Sequence, residues 1–216
     1  MLELLHDYWL YFLVGRYPAG PLGGLALTVV LASLALLLSL PVGLLLGLAR
    51  ISPWRALRWP VTALIHVVRG IPLLLVIFWA YFFLPSITGH ESGQFSTMLA
   101  ALVIFDGIYL AEIVRAGVQA VPRGQVEAAR SLGLTYLDSL RTVVLPQALR
   151  HMLPSLVNQF VSTIKETSLG HIIGLAEVSF IASQVNGLVL TKPLQVYFLL
   201  GMSYFVLCFS LSRAAF

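Results

Sequence analysis

The sequence predicts an all-α integral membrane protein with five transmembrane helices, its amino terminus outside and its carboxyl terminus cytoplasmic. Three observations carry that expectation. The 216 residues are 59% hydrophobic and only 10% charged, where a soluble domain of this size carries about a quarter charged residues. Mean hydropathy is +0.92. The arginines and lysines fall alternately between the apolar stretches, which sets an orientation by the positive-inside bias. A net charge of +4 would fit a nucleic-acid partner only if gathered on one face, and here it is spread between spans, so no nucleic acid is expected. The single cysteine, Cys208, excludes an internal disulfide and a cysteine metal cluster.

Residues 1–17 are apolar but broken by Glu3, His6, Asp7 and Arg16. They lack the small-residue cleavage site of a secretory signal and read as an amphipathic segment on the outer surface, with Tyr8, Trp9, Tyr11 and Phe12 at headgroup depth. Residues 18–216 form one domain. A turn over 18–24 leads to residues 25–49, uncharged and long enough to span about 30 Å of hydrocarbon. Residues 50–60 hold three arginines and two tryptophans, an inner loop. The second span, 61–84, is interrupted by Arg69-Gly70-Ile71-Pro72. An outer loop over 85–96, including His90, carries no lysine or arginine. The third span covers 97 to about 121, the fourth 152–173 and the fifth 194–211, with Arg213 back in the cytoplasm. Five arginines lie in or beside the second inner loop, against Arg16 and Lys192 outside.

The second inner loop, about 117–150, is the polar interruption. Gly124 to Ser131 are good helix formers, and Gly133 stands where a left-handed helix stop falls. Thr135 with Asp138 fits a capping box opening a second helix, expected to run until Pro146. Ala128, Ala129 and Gly133 leave one side of the short helix nearly bare, so a partner's groove could close on its backbone. Glu127 is favoured near the helix start and could meet a cation on that partner.

Charges inside the spans cost several kcal/mol unless they face protein or water. Arg69 lies roughly 15 Å past Pro60 at 1.5 Å per residue, beside a permitted kink. Glu112 and Arg115, three apart, can pair on one face, and Asp106 and Tyr109 extend that polar stripe. Lys165 and Glu166, with Asn158, Gln159, Ser162, Thr163, Thr167 and Ser168, make the fourth span too polar for lipid on most sides. It should line a subunit interface and a pathway.

The order Glu127-Ala128-Ala129, then Gly133, then Leu145-Pro146 resembles the EAA loop of ABC importer permeases, the segment that docks on the cytoplasmic ATPase. Arg69-Gly-Ile-Pro-Leu-Leu, Tyr109-Leu-Ala-Glu112-Ile-Val-Arg115-Ala-Gly117 and Lys165-Glu-Thr-Ser-Leu169 resemble the polar amino acid branch of that family. The resemblance covers roughly 22–213. Two departures are Asp106-Gly107-Ile108, where small and aromatic residues are expected, and the end at Phe216 without a basic tail. The resemblance implies a type I ABC importer permease-like fold in a bacterial cytoplasmic (inner) membrane. It implies coupling to the ATPase through Gly124, Glu127, Ala128, Ala129, Ser131 and Gly133. A substrate pathway would run past Arg69, Pro72, Tyr109, Glu112, Arg115, Lys165 and Glu166. Arg69 would meet the carboxylate of a zwitterionic amino acid and Glu112 its ammonium. Glutamate, aspartate, glutamine and basic amino acids fit, with acidic or amide side chains favoured by Arg69 and Lys165. The implied partners are a cytoplasmic ABC ATPase dimer, a second permease subunit, identical or paralogous, an extracytoplasmic amino-acid-binding protein and the lipid bilayer.

No Gly-x-x-x-x-Gly-Lys-Ser/Thr loop is present, so ATP and Mg would sit on the partner ATPase and this chain would bind no cofactor. No His-Glu-x-x-His or Gly-x-Ser-x-Gly occurs, and His66, His90, His151 and His171 lack ligand spacing. A transport subunit is expected, with no catalytic or metal site of its own. The alternatives are an ion-coupled secondary amino acid carrier using Lys165, Glu166 and Asp106, and, behind it, a membrane-embedded enzyme or purely structural subunit. Neighbouring genes for a nucleotide-binding protein and a secreted protein would favour the importer.

Overall fold

The computed structural model describes residues 2–89 and 93–214, and over these the chain is helical. Helix α1 covers Leu2–Val14, α2 Gly24–Ile51 and α3 Arg55–Arg69. Then come α4 Leu73–Phe78, a π-helical turn Trp79–Phe83 and α5 Leu84–Thr88. Helix α6 covers Gln94–Gln119, α7 Arg123–Ser131 and α8 Tyr136–Ser139, followed by a second π-helical turn, Leu140–Val144. Helix α9 is Leu145–Glu166, a 3-10 segment covers Thr167–Ile173, and α10 Val178–Val189 and α11 Pro193–Ala214 complete the chain.

Three helices, α2, α6 and α11, are long and apolar enough to cross a membrane, and a fourth crossing follows if α3 and the Leu73–Thr88 helix are one bent span. That pair bends by 97°. Pro72, extended at φ −60 and ψ 136, cannot donate to the preceding turn, so the expected interruption at Arg69 to Pro72 is a true break. The Gly70 amide still reaches the carbonyls of His66 and Val67, and Ile71 that of Val68. The amides of Gly70 and Ile71 are therefore satisfied before the break. Helix α9, read as the fourth span, is the polar one, and its length is sufficient although its composition is not that of a lipid-facing helix.

The centre of the fold is the α2 and α6 pair. Gly43 lies against Leu110 and Gly47 against Val114, each pair one turn further along, so the two helices run parallel. A Cβ on Gly43 would come 2.4 Å from the Leu110 Cβ, and one on Gly47 2.7 Å from the Val114 Cβ. This is the small-xxx-small approach that lets backbones touch where hydrocarbon gives no hydrophobic drive. Around it pack Leu27, Leu31, Ala35, Leu73, Ile77, Met98, Leu102 and Phe105. Helix α9 runs antiparallel to α6: Met152 packs on Gly117, and Gln159 reaches Asp106.

Several expected boundaries move. The second helix of the inner loop does not stop at Pro146. Pro146 sits at the first positions of α9, where no intrahelical donor is needed, and the π-helical turn before it absorbs the change of register. The helix read as the fourth span accordingly starts at Leu145, and it turns 3-10 from Thr167. The loop read as 85–96 narrows, because α5 continues to Thr88 and ends on left-handed Gly89, and α6 opens at Gln94. His90 and the chain end at Phe216 lie outside the described residues. Helix α1 occupies most of the segment read as amphipathic, with Trp9 half exposed. Its Leu4 and Phe12 are buried with Val178, Ile181 and Val185 of α10.

Candidate functional site

The polar loop folds as two short helices around Gly133. Helix α7 opens after extended Pro122, and its end is closed by Gly133 at φ 84, a left-handed turn in which the Leu134 amide donates to the Ala129 carbonyl. Thr135 then caps α8, its hydroxyl accepting from the Asp138 amide at 3.2 Å. Gly124, Glu127, Ala128, Ser131 and Gly133 are all exposed, and nothing lies within 4 Å of where a Cβ on Gly124 or Gly133 would sit. Ala129 differs from the others. It is 3% exposed and turned toward the bundle, because α7 has an inner stripe that must pack and an outer one left open. Leu132 and Leu137, 84% and 59% exposed, add apolar surface to that outer side. The Glu127 carboxylate has no partner among the described residues.

A charged cluster joins three helices near the carboxyl-terminal ends of α2 and α6. Glu112 accepts from Arg50 of α2 and from Arg115, whose Nε lies 2.8 Å from Oε1. Arg115 also reaches Gln119. The Glu112 and Arg115 pair is the one their spacing predicts. Arg69 approaches Glu112 only to 4.0 Å, and its guanidinium lies 5.3 Å from the centre of the Tyr109 ring, which packs on Phe105. Three guanidiniums thus surround one carboxylate. Arg50 and Glu112 keep only 12% and 22% of their side chains exposed, against 40% for Arg69. Pro72 is near this cluster through the chain, at the break that ends α3.

Lys165 and Glu166 are not part of that cluster. They end α9, next to Asp106 rather than Glu112: Asp106, fully buried, accepts from Gln159 at 2.8 Å and from Thr163 at 3.0 Å. Lys165 is exposed, and Glu166 holds one buried carboxylate oxygen without a hydrogen-bond partner. The polar residues of α9 therefore divide between a tie to α6 and a face, with Asn158 and Lys165, left open.

Two features escape a reading of the sequence. Arg50 reads there as a loop charge, and the signal that it faces Glu112 is the Gly43 and Gly47 spacing that sets the helix register. Glu177 is fully buried, caps α10 by accepting from the amides of Ser179 and Phe180, and takes a third bond from the Tyr204 hydroxyl. Beside it a cavity of about 430 Å³ is lined by Ser168, His171, Ser179, Ser183, Tyr197 and Tyr204. Among the described residues no group of histidine, cysteine and acidic side chains is placed to hold a metal.

Apolar helices that hold buried charges where they meet, with a short helix-turn-helix whose outer side is exposed, give the chain the anatomy of a membrane protein. The chain belongs to the family of binding-protein-dependent transport system inner membrane components, whose profile matches residues 39–215. It is 38% identical over 194 residues to a probable glutamine ABC transporter permease protein of Bacillus subtilis (strain 168), covering 89% of this chain and 88% of that protein. It is 34% identical over 186 residues to an arginine transport system permease protein of the same organism, covering 86% and 84%. A crystal structure described as an amino acid ABC transporter with histidines superposes with a TM-score of 0.83 at 34% identity, over 89% of both chains.

Proposed function

We propose that this chain is the permease subunit of an ATP-driven ABC importer of polar amino acids. It forms half of the pathway with a second permease and takes its energy from a separate ATPase. The observation that carries the reading is α7, held out by left-handed Gly133 with its glycines bare and Glu127 unpaired. A helix so exposed is explained by a partner groove. Similarity to glutamine and arginine permeases supports amino acids as the solute class. Under this reading residues 1–17 rest on the outer surface, residues 18–216 cross five times, and the loop over 117–150 meets an ATPase dimer in the cytoplasm. A binding protein delivers solute from outside.

Arg69 is the best placed cation for a solute carboxylate, since Arg50 and Arg115 already hold Glu112. We assign Glu112 the role of anchoring those arginines, rather than meeting the ammonium. Lys165 and Asn158, open on α9, face the pathway, and Arg69 and Lys165 together favour acidic or amide side chains. When two ATPases close on ATP they shift α7, and the rigid α2 and α6 pair carries the motion to the bend at Pro72. The inner loop must contact the ATPase differently in its two states, since equal contacts shift nothing. The rival ion-coupled carrier would use Lys165, Glu166 and Asp106; the Asp106 oxygens already accept from Gln159 and Thr163, while Glu166 keeps an oxygen without a partner, so the energy source of uptake decides between the two. Uptake of radiolabelled glutamine, glutamate and arginine by proteoliposomes holding the permease, its ATPase and the binding protein tests the choice. Uptake that needs internal ATP and survives ionophores supports the importer; uptake without nucleotide, abolished by ionophores, supports the carrier.

A further inference from the structure

Between Arg50 and Pro72 the chain carries four arginines, one histidine and no acidic residue. Arg50 and Arg69 are drawn to Glu112. Arg55 and Arg58 remain, both exposed and neither ion-paired or hydrogen-bonded through its side chain among the described residues. They stand between Trp54 and Trp59, which are 75% and 73% exposed. A cleft of about 260 Å³ opens beside them, lined by Arg58, Trp59, Thr62, Ala63 and His66. Those positions share one helical face, and the cleft exists because Thr62 and Ala63 are small where Trp59 and His66 are large. The opposite face of α3 packs on the bundle through Val61, Ile65 and Val68.

Water alone would hydrate two bare indoles, and hydrocarbon alone would strand two guanidiniums. An amphiphile with an anionic head satisfies both. Indoles settle at headgroup depth, guanidinium binds phosphate oxygens in a two-pronged fork, and basic pockets beside membrane helices hold acidic headgroups. We propose that the outer face of α3 is a binding site for an anionic phospholipid. Arg55 and Arg58 hold its phosphate, Trp54 and Trp59 flank the headgroup, and an acyl chain lies in the cleft over Thr62 and Ala63. The proposal requires that the chain sit in a bilayer, and it stands whether or not amino acids are the solute.

The test uses the assembled complex in nanodiscs of phosphatidylethanolamine and phosphatidylglycerol, three parts to one, as wild type, as Arg55→Gln with Arg58→Gln, and as Arg55→Lys with Arg58→Lys. Native mass spectrometry then counts the lipids retained after detergent extraction. The wild type is expected to retain phosphatidylglycerol over phosphatidylethanolamine. The glutamine pair should lose that preference by about fivefold per arginine, the factor equivalent to ~1 kcal/mol each near an anionic surface, and the lysine pair should keep most of it. Equal retention by the glutamine pair overturns the site. So does displacement of the lipid by millimolar inorganic phosphate, which would make the ligand a free anion. Loss of the ATPase or of the second permease from the glutamine variant, with lipid retention unchanged, would assign the face to a protein and also overturn it. Solute-stimulated ATP hydrolysis, measured on the same preparations, reports on the transport reading separately.

Discussion

Glu112 of α6 binds the guanidinium of Arg50, the charge at the carboxyl-terminal end of α2, so the parallel helix pair is closed by an ion pair at one end. Arg115 grips the same carboxylate from its own helix. Replacing Glu112 by Gln leaves three guanidiniums around a neutral group. Hydrogen bonds to charged groups are worth about 1.5–3 kcal/mol, so Glu112→Gln should lower the melting temperature of the detergent-purified permease by several degrees. An unchanged melting curve would mean the cluster does not hold α2 to α6.

The glycine seam predicts a steeper loss. Gly43→Val and Gly47→Val push side chains into Leu110 and Val114, where even a first carbon would stand only 2.4 Å and 2.7 Å from the facing Cβ atoms, and overpacking costs about 1–3 kcal/mol or more. Reduced membrane yield and early unfolding are expected. Gly201→Ala, with nothing within 4 Å, serves as the control and should behave as wild type. If both seam variants melt like the control, the helices do not meet there.

Asp106 separates packing from transport. Asp106→Ala strands the Gln159 amide, while Thr163 keeps the Gln159 carbonyl as acceptor, and an unsatisfied buried polar group costs about 1–3 kcal/mol, so its melting temperature should fall. Asp106→Asn keeps an acceptor oxygen and should recover most of that stability and of uptake. A stable Asp106→Asn protein with no uptake would show that the charge itself is needed, and the carrier would regain ground.

Arg69 should matter for solute rather than for fold. It is 40% exposed and only 4.0 Å from Glu112, a geometry in which an ion pair contributes little. Arg69→Ala should leave melting nearly unchanged and weaken uptake of glutamate more than of arginine in proteoliposomes. Equal uptake of both, with wild-type dependence on their concentration, would remove Arg69 from the pathway.

Much of this architecture is legible in the chain because its signals are local. The uncharged run before Arg50, Pro72 at the bend, Gly133 at the end of α7 and Thr135 before α8 each act within a few residues. What is not legible depends on register between distant helices. Arg50 reads as a loop charge until Gly43 and Gly47 are placed on Leu110 and Val114. Glu177 has an unusual side chain for a helix cap, and its third partner, Tyr204, comes from α11. Pro146 reads as a stop because a π-helical turn, which has no local signature here, carries the helix past it. Ala129 reads as part of a bare face because periodicity over nine residues cannot say which stripe of α7 packs.

The central claim is that α7 is worked by an ATPase, and it is tested most directly by changing its outer surface alone. With Glu127 and Ala128 replaced by lysine and Gly133, which the left-handed turn requires, left in place, the reconstituted complex is assayed for ATP hydrolysis stimulated by solute-loaded binding protein and for solute uptake. The account predicts that both fall to background while the permease is still inserted and melts within a few degrees of wild type. Normal stimulated hydrolysis and normal uptake in that variant would contradict it.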